Sequence, residues 1–445
     1  MVRQPVNAPA PGWSLTFRPR DWDRLSAHLF ADGDEHGAIV LARESPGLRG
    51  PRLLVEHVLL AQDGVDYVGG SVGYRMLTPE FVRTAAVHAR RLGLVYLAFH
   101  NHGGWERVRF SPIDMASHDR GYPALQKITG TIVGAVVCTP AAAAGDLWLP
   151  AGRRVELAEM VVAGTNLIRL QPQPSVVGPS GARFNRQALL FGDAGQECFR
   201  RMRVAIVGQG GVGSLLTEML ARLGVGSMVL IDDDDVDDTN LPRLVGATTH
   251  DVGMPKVQLG MRAARAANPA VEVIPIKGAI QAPDARALAA SSDWIFLAAD
   301  THAARHWVTV IVEESLVPAT QLGVKVPTDD RGSVGPIHIA TRQLLPGQGC
   351  FWCNGLINAT ELAIDMHPAH ERQAARYVDG VAAPSVMSLN ALSASQAVTD
   401  FMLAVTQMRG DETDMDVLYF PRDRRHRQVR RRRDASCAFC GDRSL

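Results

Sequence analysis

Apolar residues follow two different periods in the second half of the chain. Short apolar runs alternate with stretches in which apolar residues recur every three or four positions. The first pattern is typical of buried strands and the second of amphipathic helices. Their alternation predicts β-α-β units and a Rossmann-like parallel sheet of the α/β class. The predicted strands are residues 203–207, 227–231, 271–276 and 294–298, and the predicted helices are residues 213–223 and 255–267.

The first half of the chain mixes the two patterns without regular alternation, which favours an α+β unit. Its predicted strands are residues 37–42, 53–60, 94–99 and 130–138, and its predicted helices are residues 21–30 and 79–92. Between the halves, residues 171–182 are rich in Pro, Gly and Ser, which indicates a linker. A chain of 445 residues exceeds one ordinary domain. We therefore predict two domains, residues 1–170 and 183–445.

Composition and charge narrow the class of protein. Hydrophobic residues make up 46% and charged residues 21%, which is typical of globular proteins with sizeable cores. The formal net charge is zero, so we expect neither nucleic acid nor a membrane as partner. We find no signal-peptide core and no apolar stretch of membrane-spanning length. The arginine-rich residues 422–433 are predicted to be solvated and partly flexible, with a docking patch for an acidic partner as the alternative.

Glycines follow the first predicted strand of the second half. Gly208, Gly210, Gly211 and Gly213 stand between that strand and a predicted helix. Glycines there let backbone approach a phosphate, and the helix N-terminus favours the anion. Asp232 ends the next strand, where a carboxylate can accept hydrogen bonds from ribose. This pattern fits the binding of ATP or of a dinucleotide. The alternative is a tight turn that binds no ligand.

Polar residues farther along favour ATP over a dinucleotide. After Asp232, the chain continues with Asp234, Asn240 and Arg243. Lys256 lies near the start of the second predicted helix, and Asp300 follows a later predicted strand. Adenylation requires cations beside the triphosphate, which Arg243 and Lys256 can supply. It also requires a carboxylate for Mg²⁺, a role that suits Asp300. Hydride transfer has no such requirements, so the pattern predicts adenylation.

These motifs, in this order, resemble the ThiF/MoeB and ubiquitin-activating family, and the resemblance spans residues 183–445. The opening segment 183–187, Arg-Phe-Asn-Arg-Gln, is similar to that family's R-Y-N-R-Q signature. The resemblance implies a homodimer in which Arg186 reaches the partner's nucleotide. It also implies ATP as substrate and the attack of a carrier's C-terminal carboxylate on the α-phosphate. Implied roles are ribose binding for Asp232, phosphate binding for Arg243 and Lys256, and Mg²⁺ binding for Asp300, with Asp234 and Asn240 completing the nucleotide site.

Four of the six cysteines form two C-x-x-C pairs, Cys350 with Cys353 and Cys437 with Cys440. Two such pairs can complete a tetrahedral Cys₄ site for structural Zn²⁺, and a redox dithiol is the alternative. Matching pairs also occur in the ThiF/MoeB family. Metal-binding rather than disulfide-forming cysteines predict a reducing, cytoplasmic location.

Many relatives pass the activated carrier to a cysteine, and this chain has none at the matching place. Residues 379–386 are similar to the stretch that follows that cysteine, and its position holds Arg376. The two cysteines outside the pairs, Cys138 and Cys198, are predicted to be buried core residues. We therefore expect catalysis to stop at the adenylate. Ester formation on Ser385 or Ser388 is a lesser alternative, because no activating base is evident.

A second chemical signature lies in the first half. His100 and His102 end a predicted strand, and Ser111 and Asp114 follow. Two imidazoles and a carboxylate leave a fourth Zn²⁺ position open, as in catalytic sites. Glu35 precedes the strand at 37–42 and is a candidate general base.

The set resembles the JAMM (MPN/JAB) metalloproteases, isopeptidases that cut after the C-terminus of ubiquitin-like proteins. The resemblance implies that His100, His102 and Asp114 bind Zn²⁺, that Ser111 stabilises the oxyanion and that Glu35 activates water. Asn101 replaces the family's usual Ser or Thr, no Pro follows His102, and the gap to Ser111 is one residue longer. A degenerate, non-catalytic scaffold and a chance motif are the alternatives.

Together the two resemblances predict a bifunctional enzyme of a bacterial ubiquitin-like pathway. Both halves would bind the tail of one ubiquitin-like (β-grasp) protein, and their linkage raises the effective concentration of one site at the other. A conjugating enzyme is a further expected partner, and a role in phage defence rests on analogy. The alternatives are activation of a sulfur-carrier protein for cofactor biosynthesis and a non-catalytic carrier-binding scaffold.

Overall fold

The computed structural model describes residues 5–68, 75–329, 331–367, 384–410 and 415–442. The chain divides into two compact units. The first runs to Gly178, and the second comprises Pro179–Asp442. None of the described helices is long and apolar enough to cross a membrane.

A mixed eight-stranded sheet with three helices forms the first unit. The strands run in the order β1-β3-β2-β4-β5-β6-β7-β8, and β1 also pairs with β7, so the sheet closes on itself. The elements are β1 (Trp13–Phe17), α1 (Pro19–Leu29), β2 (Gly37–Ser45), β3 (Arg52–Leu60), α2 (Pro79–Leu92), β4 (Val95–Asn101), α3 (Pro112–Thr129), β5 (Val133–Thr139), β6 (Ala142–Trp148), β7 (Arg154–Ala163) and β8 (Leu167–Leu170).

The pairing of β2 with β4 decides where the polar residues of this unit meet. The strands are antiparallel, with Gly37 opposite His100 and Ala38 opposite Phe99. The start of β2 therefore lies beside the end of β4. Alternate side chains of both strands fill the core below, where Ala38, Val40 and Phe99 are almost fully buried.

The second unit contains a parallel half-sheet that continues into an antiparallel half. Its strands run in the order β11-β10-β9-β12-β13-β14-β15-β16, and the first five are parallel. The elements are α4 (Gly181–Arg201), β9 (Arg203–Val207), α5 (Gly211–Leu223), β10 (Ser227–Asp232), α6 (Lys256–Ala267), β11 (Glu272–Lys277), α7 (Pro283–Ala290), β12 (Trp294–Leu297), α8 (His302–Ser315), β13 (Ala319–Lys325), β14 (His338–Leu344), α9 (Ala359–Asp365), α10 (Met387–Val405), β15 (Met415–Phe420) and β16 (Arg425–Arg430).

The order β11-β10-β9-β12-β13 reverses direction at β9. The chain moves from β9 to β10 on one side and later returns to β12 on the other. Ligands of open α/β sheets bind at such a switch point, beyond the carboxyl ends of the strands. The glycine loop after β9 and the segment after β12 both lie at this edge. The predicted Rossmann-like mixed α/β fold is confirmed.

Sequence patterns located the buried strands well and the polar ones poorly. The predicted strand at 203–207 matches β9, and the predicted helix at 79–92 matches α2. Residues 422–433, predicted to be solvated and partly flexible, contain a strand that was not predicted: Arg425–Arg430 forms the edge strand β16, paired with β15. Every residue of β16 is exposed, so it has no apolar alternation that would reveal a strand. Helix α4 begins at Gly181, two residues before the predicted domain start.

Candidate active sites

The glycine loop of the second unit is built by close backbone approach. Gly208 has φ 96°, and a Cβ there would lie 2.7 Å from the backbone nitrogen of Ala299. A Cβ on Gly213 would lie 1.9 Å from the carbonyl oxygen of Gly208. Helix α5 therefore packs directly on the loop that precedes it. By contrast, a Cβ on Gly210 would meet nothing within 4 Å, so the loop is open on that side.

Asp232 ties the end of β10 to this loop. Its carboxylate accepts hydrogen bonds from the backbone nitrogens of Gln209, at 2.5 Å, and Asp234, at 2.9 Å. Burial raises the pKa of Asp232, and the two backbone hydrogen bonds oppose that rise. The carboxylate is thus placed at the mouth of the loop, where a ribose beside bound phosphates would lie.

The two predicted phosphate-binding cations, Lys256 and Arg243, contact different parts of this region. The Lys256 Nζ lies 2.6 Å from an oxygen of Asp234, and the lysine side chain is largely buried. Arg243 donates to the carbonyl oxygen of Thr239 at 3.0 Å. Its Cδ lies against the loop, 3.2 Å from where a Cβ of Gly211 would be. Lys256 is therefore held at the acidic end of β10, where its charge acts on Asp232, and Arg243 is held against Gly211.

Asn240 is buried beside these cations. Its residue is 4% exposed, and its Oδ1 has no hydrogen-bond partner among the described residues. Its Nδ2 donates to Thr239 Oγ1 at 3.3 Å. A buried acceptor without a donor is costly, so a ligand hydroxyl or a water is expected there.

Asp300 is exposed and follows β12 at the switch point. The backbone nitrogens of Ala298 and Ala299 both donate to the carbonyl oxygen of Val207, which ties this segment to β9. Among the described residues, Asp300 belongs to no cluster of three metal-ligating side chains; the acidic cluster of this unit is Asp232, Asp233 and Asp234. A single carboxylate suffices where substrate phosphates complete the shell of Mg²⁺, so the predicted role of Asp300 stays a prediction.

One residue that sequence reasoning missed lies against the glycine loop. Asn390 of α10 is 2% exposed, and its Nδ2 lies 2.3 Å from where a Cβ of Gly211 would be. The same nitrogen donates to Ser385 Oγ at 3.0 Å. Asn390 thus packs the start of α10 onto the loop. The helix carries several other polar residues, Ser393, Gln396 and Asp400 among them, so no local signal in the sequence singled out Asn390.

Arg186 lies in α4 with its side chain exposed, as a role toward a second copy of the chain requires. Arg376, at the place of the family cysteine, lies outside the described residues. Cys138 is fully buried in β5, and burial raises its thiol pKa. Cys198 is buried in α4.

The two C-x-x-C pairs converge. Sulfur–sulfur distances are 3.8 Å from Cys350 to Cys353, 3.7 Å from Cys350 to Cys437 and 3.4 Å from Cys353 to Cys440. A tetrahedron with Zn–S bonds of about 2.3 Å has edges of about 3.8 Å. The four sulfurs therefore fit Zn²⁺, and the pairs join two segments far apart in sequence.

In the first unit, two imidazoles and a carboxylate converge at the end of β4. The Nε2 atoms of His100 and His102 lie 3.2 Å apart. The Asp114 carboxylate lies 3.7 Å from His100 Nε2 and 3.5 Å from His102 Nε2. Bonds of about 2.1 Å to a tetrahedral Zn²⁺ give edges of about 3.4 Å, so the three donors fit that ion. Burial and the nearby His100 lower the pKa of His102, which favours the neutral imidazole that binds metal.

Glu35 approaches the same point from the start of β2. Its carboxylate and the two imidazoles lie within 4.8 Å of one another. Burial raises the pKa of Glu35, as suits a general base. Ser111 caps α3 by accepting from the Asp114 backbone nitrogen at 3.2 Å, so its hydroxyl hydrogen can still donate to a substrate. Burial alone would raise the pKa of Asp114, but hydrogen bonds from His100 and Ser111 outweigh it and lower that pKa.

Three other polar residues of this region have partners within the unit. His36 is buried, and its Nε2 donates to Asp32 Oδ1 at 2.8 Å. His118 is buried and lies 2.9 Å from Asp146. Exposed Asp119 pairs with Arg154 at 3.0 Å. These contacts assign His36, His118 and Asp119 to the scaffold rather than to the metal site.

The parallel sheet, its switch point and the glycine loop define a Rossmann-like nucleotide-binding unit of the mixed α/β class. The chain belongs to the ThiF family, whose model matches residues 184–438, more than half of the sequence.

Curated relatives show the same likeness. The chain is 29% identical over 261 residues to the molybdopterin-synthase adenylyltransferase of Escherichia coli, covering 58% of this chain and 96% of that protein. It is 45% identical over 95 residues to the tRNA threonylcarbamoyladenosine dehydratase of Bacillus subtilis, of whose length it spans only 37%. Among solved structures, E. coli MccB with ATP has a TM-score of 0.46 and 20% identity, covering 60% of this chain and 76% of that chain.

Proposed function

We propose that residues 183–445 use ATP to adenylate the C-terminal carboxylate of a ubiquitin-like β-grasp protein. The observation that carries this proposal is the open glycine loop at the switch point, with the Asp232 carboxylate bound to its backbone, Arg243 against Gly211 and Lys256 paired with Asp234. Two relatives from E. coli, the molybdopterin-synthase adenylyltransferase and the sulfur carrier protein ThiS adenylyltransferase, support the same chemistry by name.

The proposed step needs positioning and charge stabilisation rather than a covalent enzyme intermediate. A carboxylate oxygen of the carrier attacks the α-phosphorus of ATP, forming a carbon–oxygen–phosphorus link. The bond between the α-phosphorus and the bridging oxygen breaks, and pyrophosphate leaves with the electron pair. Arg243 and Lys256 stabilise the phosphate charge, and Asp232 orients the ribose. Mg²⁺, which Asp300 would hold, would offset further charge on the triphosphate.

The test is ATP–pyrophosphate exchange with candidate β-grasp proteins, read together with mass spectrometry of the adenylate. Exchange should fall at least about 100-fold in Asp300→Ala. The control Asp284→Ala removes an exposed carboxylate in α7 and should retain exchange. Full exchange in Asp300→Ala would contradict the Mg²⁺ assignment, and no exchange with any carrier would favour a non-catalytic scaffold.

We further propose that the first unit is a zinc metallopeptidase that cuts after the tail of the same carrier. The convergence of His100, His102 and Asp114, with Glu35 beside them, supports this second function. Zn²⁺, when bound, would supply Lewis acidity. Glu35 would accept a proton from the water that attacks the peptide carbonyl, and Ser111 would donate to the oxyanion that forms.

A matched pair of carboxylates in α3 tests the metal site. The Asp114→Ala variant should bind one zinc equivalent fewer than wild type. It should also fail to cleave a carrier that is fused through its C-terminus to a fluorescent protein. Asp119→Ala removes an exposed carboxylate five residues along the same helix and should retain both. Zinc content unchanged in Asp114→Ala would contradict the ligand assignment.

The full proposal is a bifunctional enzyme that acts as a homodimer, in which Arg186 reaches the partner copy. The enzyme transfers the acyl group to a conjugating enzyme without forming a thioester on itself. Zinc at the four cysteines would be structural. Activation of a sulfur-carrier protein is the second candidate, favoured by the names of several relatives. A thiol-sensitive carrier adduct that survives denaturation would contradict the absence of a thioester.

A further inference from the structure

Asn101 stands between the two metal-site histidines, and its side chain reaches across to the segment just before β2, which carries Glu35. Its Oδ1 accepts a hydrogen bond from the His36 backbone nitrogen at 2.6 Å. Its Nδ2 donates to the Asp34 carbonyl oxygen at 3.0 Å. The two residues so bound flank Glu35 on either side. One amide therefore holds the backbone segment whose middle residue is the proposed general base.

This segment lies outside the regular pairing of β2 with β4. The ladder begins at Gly37, opposite His100, so the residues before it have no ladder bonds of their own. Asp32, Gly33 and Asp34 are exposed, and Glu35 is half-buried. Without the Asn101 bonds, the position of Glu35 relative to His100 and His102 would rest on the buried His36 side chain and on the exposed residues 32–34. A serine or threonine carries its donor and acceptors on one oxygen, so it lacks the two separate atoms with which an amide can bind both backbone groups.

We propose that Asn101 is a positioning residue that fixes the carboxylate of Glu35 beside the metal-binding imidazoles. It does so by clamping the backbone of Asp34 and His36. Asn101 ligates no metal and touches no reacting atom in this role. The inference rests on the proposed peptidase function. This role explains why asparagine can stand at this position. Its side chain bonds to the backbone of the residues just before β2, next to the first pair of the β2–β4 ladder.

The test compares Asn101→Ala with Asn7→Ala. Asn7 is a matched control in the same unit, because its amide also bridges backbone groups. It donates to the Arg169 carbonyl oxygen at 2.9 Å and accepts from the Ser175 nitrogen at 3.0 Å. The probes are Zn²⁺ alone, backbone hydrogen exchange, and cleavage of the carrier–fluorescent protein fusion.

In Asn101→Ala, we expect retained Zn²⁺ stoichiometry and about fivefold faster exchange of the His36 amide, since one hydrogen bond is lost. We expect kcat for cleavage to fall about 10- to 100-fold with KM unchanged, because the base is misplaced. The same substitution on a Glu35→Gln background should cause no further loss. Asn7→Ala should lower thermal stability and leave kcat unchanged. Asn101→Asp keeps the side chain's size and acceptor, and should fall between wild type and Asn101→Ala.

Three outcomes would overturn the positioning role: kcat within twofold of wild type in Asn101→Ala, loss of Zn²⁺ in that variant, or a full additional loss on the Glu35→Gln background. If Asn101→Ala does not fold, the kcat and exchange of Asn101→Asp decide the matter. Failure of the peptidase function is distinct from these outcomes, because the wild-type protein itself would then neither bind Zn²⁺ at this site nor cleave.

Discussion

Gly213 shows how a single residue type decides whether the nucleotide loop can form. The helix and the loop approach so closely there that only hydrogen fits between them, with the Gly208 carbonyl oxygen 1.9 Å from an added Cβ. Gly210 lies three residues away in open space, with φ −73°. Gly213 is therefore required for packing, whereas Gly210 leaves the loop open on the side where a phosphate could approach.

Gly213→Ala should lower the thermal midpoint of unfolding by at least about 3 °C, because overpacking against backbone costs about 1–3 kcal/mol. Gly210→Ala should leave the midpoint unchanged. Scanning calorimetry of the two variants measures the difference. Equal midpoints would show that α5 does not pack on the loop as described. A loss of ATP binding in Gly210→Ala alone would report phosphate approach at that residue.

At the scale of elements, the antiparallel half-sheet buries a carboxylate among arginines. Asp416 of β15 lies 3.9 Å from Arg342 of β14 and 3.9 Å from Arg431, and Arg409 is also near. Burial raises the pKa of Asp416 to about 6, against the lowering effect of the three cations. The folded protein therefore holds this proton more tightly than the unfolded chain does.

This raised pKa makes stability depend on pH in a defined direction. The contribution of Asp416 is fully present below about pH 4, near its unfolded pKa, and is lost as pH rises through about 6. Asp416→Asn should remove a stability change of up to about 1.4 kcal/mol per pH unit in that window. Thermal midpoints at pH 5 and pH 7 measure it, with exposed Asp423→Asn as control. An unchanged difference between the two pH values would contradict the shift.

The cysteine pairs connect elements that share no strand pairing. Cys437→Ser should reduce zinc content by one equivalent and lower the thermal midpoint, because three sulfurs leave the ion's shell incomplete. Cys138→Ala, in the core of the other unit, should retain full zinc. Metal analysis after gel filtration measures both. Retention of zinc in Cys437→Ser would contradict the Cys₄ site.

At the scale of the whole molecule, each candidate site draws its described residues from one unit only. The histidine site uses β2, β4 and α3 of the first unit, and the glycine-loop site uses β9, β10, β12 and their connections in the second.

The two activities should accordingly be separable by mutation. Asp114→Ala should abolish cleavage and leave ATP–pyrophosphate exchange within about twofold, and Asp300→Ala should do the reverse, because the two sites share none of the described residues. Both assays on both variants measure this. Loss of both activities in either variant would show that the sites are coupled.

Local sequence determined the elements that bury an apolar face. Strand β9 and helix α2 were predictable because apolar period and bounding glycines or caps act over a few residues. The candidate nucleotide residues were also predictable, since the glycine loop and the strand end at Asp232 are local features. The exposed strand β16 was not, because solvent on its side chains leaves no periodic signal.

Tertiary structure alone decided what meets across long sequence separations. The antiparallel register of β2 and β4 brings Glu35 beside His100 and lets Asn101 bind the backbone on both sides of that glutamate. Likewise, only the packing of α10 on α5 places Asn390 against the glycine loop. The sequence pattern indicates which residues are suited to catalysis or to binding. Strand pairing and helix packing decide which of them lie within bonding distance, because those contacts depend on the whole core rather than on neighbours in sequence.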